Sequence, residues 1–358
     1  MLVVEVPGFW RLRVVTEQMI VARGWVRAAS PVEADALLVC GVPGSELADI
    51  VEFVWDQVPG PRARADVPYI DALPAALGLI ESALRNPHRG DRQSATTHHL
   101  PTTCADMSHT DMNHRSTQHG ADHQAMGHEG MGHEGMGHEG MGHGGMGHGD
   151  MAPAGIPLAG GADDRDGLEM DVLEVPLGPV LPYWPPGLVL RCVLHGDVIA
   201  DAVPVVLPET LPSVGLDVTS PALRAARHCD IATGVLVLAA SRSIAATARR
   251  ITADLVAQGD SASARSALEE LQRRVSRSRL LRWSLRGLGQ YASGDVHDRL
   301  LSTLRSAGRE LDGHESATVA PTVDELPGLV CGLDLAAARL VVASLGFDTS
   351  TDREPAHG

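Results

Sequence analysis

Residues 126–150, "MGHEGMGHEGMGHEGMGHGGMGHGD", are five tandem copies of a five-residue unit, each with one Met and one His. A thioether is a soft, uncharged ligand and an imidazole a borderline one. Together they suit Cu(I) best, while the imidazoles alone accept Cu(II), Ni(II) or Zn(II). The candidate ligands are Met107, His109, Met112, His114, His119, His123, Met126, His128, Met131, His133, Met136, His138, Met141, His143, Met146 and His148, with His98 and His99 upstream. Five-residue spacing scatters side chains around a helix, and the repeated glycines disfavour one. The expected binding is therefore polyvalent and labile, without a single preformed site. The plainer reading is a repeat-expanded spacer with metal affinity and no metal function.

Other chemistry is scarce. The chain has no lysine, all 29 of its basic residues being arginine. Phosphate loops of the GxxxxGK[ST] type and Schiff-base catalysis are thereby excluded. The net charge of −16 repels phosphate backbones, so no nucleic acid is expected as a partner. The cysteines, Cys40, Cys104, Cys192, Cys229 and Cys331, stand tens of residues apart and form no CxxC pair. An odd, sparse set implies reduced thiols and a cytoplasmic setting. His228-Cys229-Asp230 has nucleophile, base and carboxylate in a row, but helical neighbours point about 100° apart, so adjacency makes no relay. Tyr183-Trp184-Pro185-Pro186 is either a partner contact or packing at a hairpin mouth, and packing is the plainer reading.

Three zones must position these groups. Residues 1–86 read as an α/β domain. "MLVVEV" and "ADALLVCGV" (34–42) are apolar strands, the second of buried parallel type. A helix follows, with Ser45 as N-cap and Leu47, Ile50, Val51, Val54 and Val58 on one face, and a second spans 71–86. Residues 87–165 hold twelve of the 17 histidines and eight of the 11 methionines without apolar periodicity, which reads as a disordered linker. Residues 166–358 read as α+β and mainly helical. A hairpin turns at His195-Gly196-Asp197, Ile244, Ala248, Ile251 and Leu255 line a helix stopped by Gly259, and a last helix lies in "GLDLAAARLVVASLG". No apolar run reaches the length of a membrane span, and the N-terminus lacks signal-peptide features.

"ADALLVCG" (34–41) followed by "WDQVPGP" (55–61) resembles the small, cluster-bearing subunit shared by NADH:quinone oxidoreductase (complex I) and [NiFe] hydrogenases. The resemblance implies a flavodoxin-like domain. That family's cluster needs four thiolates, whereas this zone has only Cys40, inside the strand run. The C-terminal zone resembles the large subunit of the same complexes. "VPLGPVLPYWPPGLVLRCVLHGDVIADAVP" (175–204) is similar to a "GPxHP…LRLxLxGExV" hairpin, with Gly178, Pro179 and Pro182 in place and Leu181 where the family has its quinone-site histidine. "ARHCDIA" (226–232) is similar to the nickel-ligating "RxCGxC"; Arg227 and Cys229 match, Asp230 replaces the glycine and Ala232 the second cysteine. "WSLRGLG" (283–289) is the best inner landmark, and "ASLGFDTSTDRE" (343–354) is faintly similar to the family's C-terminal "SxDPCxxC" without its cysteines.

The resemblance implies a fused pseudoenzyme with no cofactor in its folded parts and none of its own catalytic residues. It would serve as a structural or regulatory subunit of a complex I-like or hydrogenase-like membrane complex, partnered by antiporter-like subunits. Its place would be cytoplasmic or peripheral on the inner face of the membrane, with labile Cu or Ni in the linker. The alternatives are a copper or nickel buffering or delivery protein, resembling in its tract the repeats of copper-resistance proteins or the tails of nickel-maturation proteins, and a divergent NADH- or quinone-linked enzyme.

Overall fold

The structure is a computed structural model and describes residues 1–85, 160–163, 169–208, 220–314, 321–347 and 349. Near the N-terminus, β1 (Leu2–Glu5), β2 (Ala36–Cys40) and β3 (Ala63–Val67) form a parallel sheet in the order β1-β2-β3. Strand alternation divides their side chains between two helical layers. Val3, Ala36, Leu38 and Cys40 face Leu12 and Ile20 of α1 (Trp10–Ala22) and Leu73, Leu77 and Ile80 of α3 (Leu73–Arg85). Leu2, Val4, Leu37 and Val39 face Leu47, Val51 and Val54 of α2 (Ser45–Asp56). A flavodoxin sheet places its first strand inside, in the order 2-1-3-4-5. Here β2 is central, so the α/β class holds while the strand order differs. Ser45 is not the N-cap; it is the first helical residue, and Gly44 stands before it without a side-chain cap.

In the C-terminal part, β4 (Gly160–Asp163), β5 (Glu169–Leu177), β6 (Leu188–His195) and β7 (Val198–Val206) form an antiparallel sheet in sequence order. The β6–β7 hairpin turns at Gly196-Asp197, as the sequence predicts. β4 lies within the stretch assigned to the linker. Its "GGAD" has no apolar pattern to betray it, and its backbone pairing with β5 makes it a strand.

The helices are α4 (Pro221–Leu238), α5 (Arg242–Gln258), α6 (Ala262–Arg277), α7 (Arg279–Leu285), α8 (Val296–Leu311), α9 (Leu326–Val330) and α10 (Leu335–Leu345). Side-chain oxygens of Ser220, Ser261, Ser278, Asp295 and Asp334 accept backbone N–H bonds at the starts of α4, α6, α7, α8 and α10, satisfying donors that a helix leaves open. α4 is the central helix, packed by α5, α8 and α10. Its small buried residues Ala225, Ala226, Cys229 and Ala232 allow that close approach. Gly259 ends α5 with φ of 72°, a conformation that favours glycine.

The two folded zones, read from the sequence as separate domains, belong to one compact unit. α1 joins them, because Leu12 and Ile20 pack into the N-terminal core while Trp10 and Val14 pack into the C-terminal one. Val189 and Leu207 in turn extend the core formed by β1, β2 and α2. No described helix is long and apolar enough to cross a membrane.

Candidate functional site at the junction cleft

Where the zones meet, a cleft of about 100 Å³ is walled by β1, the 179–186 loop, α4 and the end of α10. Its charged floor is built around Arg13. The guanidinium of Arg13 donates to Glu5 at 2.5 Å, to Glu17 at 2.9 Å and to Asp230 of α4. Burial opposes its charge, but the carboxylates of Asp230, Glu17 and Glu5 outweigh that and hold its pKa well above the ordinary value. Trp10 Nε1 donates to the same Asp230 oxygen at 2.9 Å. Glu17 also receives Arg27 at 2.7 Å, and Arg227 lies 3.9 Å from Glu5. Three arginines thus face three carboxylates, and two of those arginines also lie over rings. Arg27 is 4.6 Å from the Tyr183 ring centroid and Arg227 5.4 Å from that of Trp10.

The wall explains several of the predicted motif positions. Gly178 has φ of 86°, and a Cβ there would lie 2.3 Å from Trp184 Nε1 and 2.4 Å from the Leu188 carbonyl oxygen. Only glycine fits, because the Trp184 indole closes the loop by donating to that carbonyl at 2.7 Å. Tyr183 adopts a positive φ of 62° and packs its ring against Gly234 of α4, while Arg249 donates to its hydroxyl at 2.7 Å. The Tyr-Trp-Pro-Pro stretch therefore packs inward through buried Trp184. Pro179, Leu181, Pro182 and Arg227 line the cleft, so the hairpin motif and the α4 motif do come together.

Cys229 and Ala232 lie elsewhere, fully buried in the helical core. Burial pushes the Cys229 thiol up to about 12. It does the same to Cys40, at about 12, which sits 3.5 Å from Thr16 Oγ1 inside β2. Cys192 is pushed up to about 11 by burial. A thiolate is the reactive and metal-binding form, so these three cysteines act as small apolar core residues. His228, Cys229 and Asp230 diverge around α4. Asp230 serves Arg13, and burial lowers the pKa of His228 against the opposing charge of Glu310. They form no relay.

No histidine or cysteine lines the cleft among the described residues. Its polar groups largely satisfy one another, and Glu5 Oε1 is the buried oxygen left without a hydrogen bond. The arrangement locks two protein surfaces together and leaves room for a few water-sized groups. Sequence reasoning missed Glu5, Arg13, Glu17 and Arg27. The available signal was a charge set among apolar neighbours, as in Leu12-Arg13-Val14.

A second group, Asp295, His297 and Asp298, has potential ligand atoms within 4.8 Å of one another. Asp295 is already engaged as the α8 cap, accepting from Asp298 N and Gly287 N, each at 2.9 Å. Burial raises its pKa, but these backbone donors outweigh burial and leave it lowered. Beside it Arg299 is buried, its pKa depressed by that burial to about 10, and it bonds Ser344 and the carbonyls of Gly289 and Gly294. This corner is thus a bracket between α8, α10 and the 286–295 loop. Met107 to His148, with His98 and His99, lie outside the described residues. No family model, curated protein or solved structure matches the chain.

Proposed function

We propose that the chain is a fused, non-catalytic relative of the small and large subunits of NADH:quinone oxidoreductases and [NiFe] hydrogenases, acting as a structural or regulatory subunit of such a complex on the inner face of the cytoplasmic membrane. The observation carrying this reading is the junction itself. Pro179, Leu181, Pro182 and Arg227, motif positions from two separate stretches, line the cleft at the boundary between the two folded zones, and Gly178 holds the turn before them. At that boundary the chain presents paired arginines and carboxylates in place of thiols and imidazoles. A cluster needs several thiolates and a nickel–iron centre needs four, a donor set that Cys40 and Cys229, buried in different cores, do not supply.

Affinity capture of the tagged full chain from detergent-solubilised native membranes tests the proposal. Antiporter-like membrane subunits or a hydrogenase-type catalytic module should co-purify, and their absence from the captured set would sink it. The His/Met tract favours a second reading, metal buffering or delivery. If deleting residues 105–151 leaves the captured set intact but abolishes copper or nickel tolerance, the second reading takes precedence.

A further inference from the structure

The charge balance of the chain reverses locally at the α6–α7 corner. Residues 271–294 contain six arginines and no acidic residue, in a chain whose net charge is −16. Arg273 pairs with Glu270 and Arg274 bonds Thr247. Arg277, Arg279, Arg282 and Arg286 are exposed, and their side chains make no ion pair or hydrogen bond among the described residues. Between them α7 carries Leu280, 71% exposed, and Trp283, 82% exposed, while Leu281 and Leu285 are buried. At about 100° per residue, Trp283 points nearly opposite the buried pair, with Arg279 and Leu280 on its flanks. The other four tryptophans are buried or half-buried, so this is the one indole that the described surface leaves open. Of the two carboxylates that bound the stretch, Glu270 is taken by Arg273, and Asp295 is buried and bonds backbone N–H groups.

We infer that this corner docks on the surface of an anionic phospholipid membrane. Guanidinium groups bind phosphate oxygens through paired donors. A ring of basic residues gains from the negative surface potential of an anionic leaflet. Trp and Leu between them match the headgroup–acyl boundary, where an indole finds both an apolar and a wet side. Folding does not require these side chains to be outward and unpaired; a charged, interfacial surface uses both properties. The inference rests on the peripheral placement proposed above and names the surface responsible for it.

The test is vesicle flotation of the purified full chain in EDTA, which removes metal bridging by the tract. The chain should float with phosphatidylglycerol–phosphatidylcholine vesicles, stay behind with pure phosphatidylcholine, and be released by salt. The exposed-site variants R277Q/R279Q/R282Q/R286Q and L280S/W283S should each weaken binding by at least about tenfold. Their circular dichroism and melting should match the parent. Failure to bind anionic vesicles, equal binding to both vesicle types, or unchanged binding by both variants would overturn the inference, as would capture of an acidic protein through this corner without vesicle binding. Vesicle binding needs no protein partner, so its failure leaves the subunit reading standing, and absence of co-purifying subunits leaves this result untouched.

Discussion

Arginine plays opposite parts in two regions of the molecule. At the junction, Arg13, Arg27 and Arg227 each have a carboxylate within ion-pair distance, and the side chains holding Arg13 come from β1, α1 and α4. At the α6–α7 corner, Arg277, Arg279, Arg282 and Arg286 have no such partner among the described residues, and a tryptophan and a leucine face outward between them. The first set is enclosed and mutually neutralised, so it matters to stability. The second is solvated and uncompensated, so it matters only when another surface arrives. In a lysine-free chain, residue type alone does not separate the two parts. Burial and partner count do.

The largest expected effect breaks the junction. Arg13→Met leaves three carboxylates facing one another without their central cation. It should cost about 3–5 kcal/mol in chemical denaturation, and hydrogen exchange should rise in α1 and α4 together. Exchange rising in the N-terminal zone alone would mean that the network does not couple the halves.

Next comes pH. An exposed thiol ionises near 9.0, whereas the buried Cys40 and Cys229 thiols wait until about 12. The unfolded chain therefore loses these protons first as pH rises. Their contribution is fully present below pH 9 and is lost between 9 and 12, on the order of a few kcal/mol. Thermal melts across that range should show the fall, and Cys40→Ala or Cys229→Ala should flatten it. Gly178→Ala drives a methyl group into Trp184 and the Leu188 carbonyl and should cost about 1–3 kcal/mol. A neutral result would mean that the 179–186 loop can shift without loss. The smallest effect sharpens the contrast from the other side. R277Q/R279Q/R282Q/R286Q should change stability by less than about 0.5 kcal/mol, measured in the same denaturation series as Arg13→Met.

The elements legible in the sequence are those with one partner face. In α5, Ile244, Ala248, Ile251 and Leu255 form a single stripe, and in β2 an unbroken apolar run marks burial on both sides. α1 was harder to read because its apolar residues serve two cores, which blurs the stripe. α8 hides behind polar residues that are themselves buried, among them His297, Arg299 and Glu310. β3, "ARADV", alternates too weakly at the sheet margin to announce itself. Gly178, Pro179, Pro182 and Arg227 could be singled out in the sequence, but not the ion-pair network of Arg13 beside the cleft. Arg13 and Asp230 are 217 residues apart, and no local spacing records that contact.

On the proposed reading, the chain keeps the two-part body of a cluster-bearing complex while ion pairs hold its junction. The most direct test of that reading is iron, nickel and acid-labile sulfide analysis of anaerobically purified protein, with the full chain measured beside one lacking residues 105–151. The deleted chain should carry no cluster or nickel–iron centre at stoichiometric level, and any metal on the full chain should be confined to the tract. A stoichiometric iron–sulfur or nickel–iron centre in the deleted chain would contradict that reading.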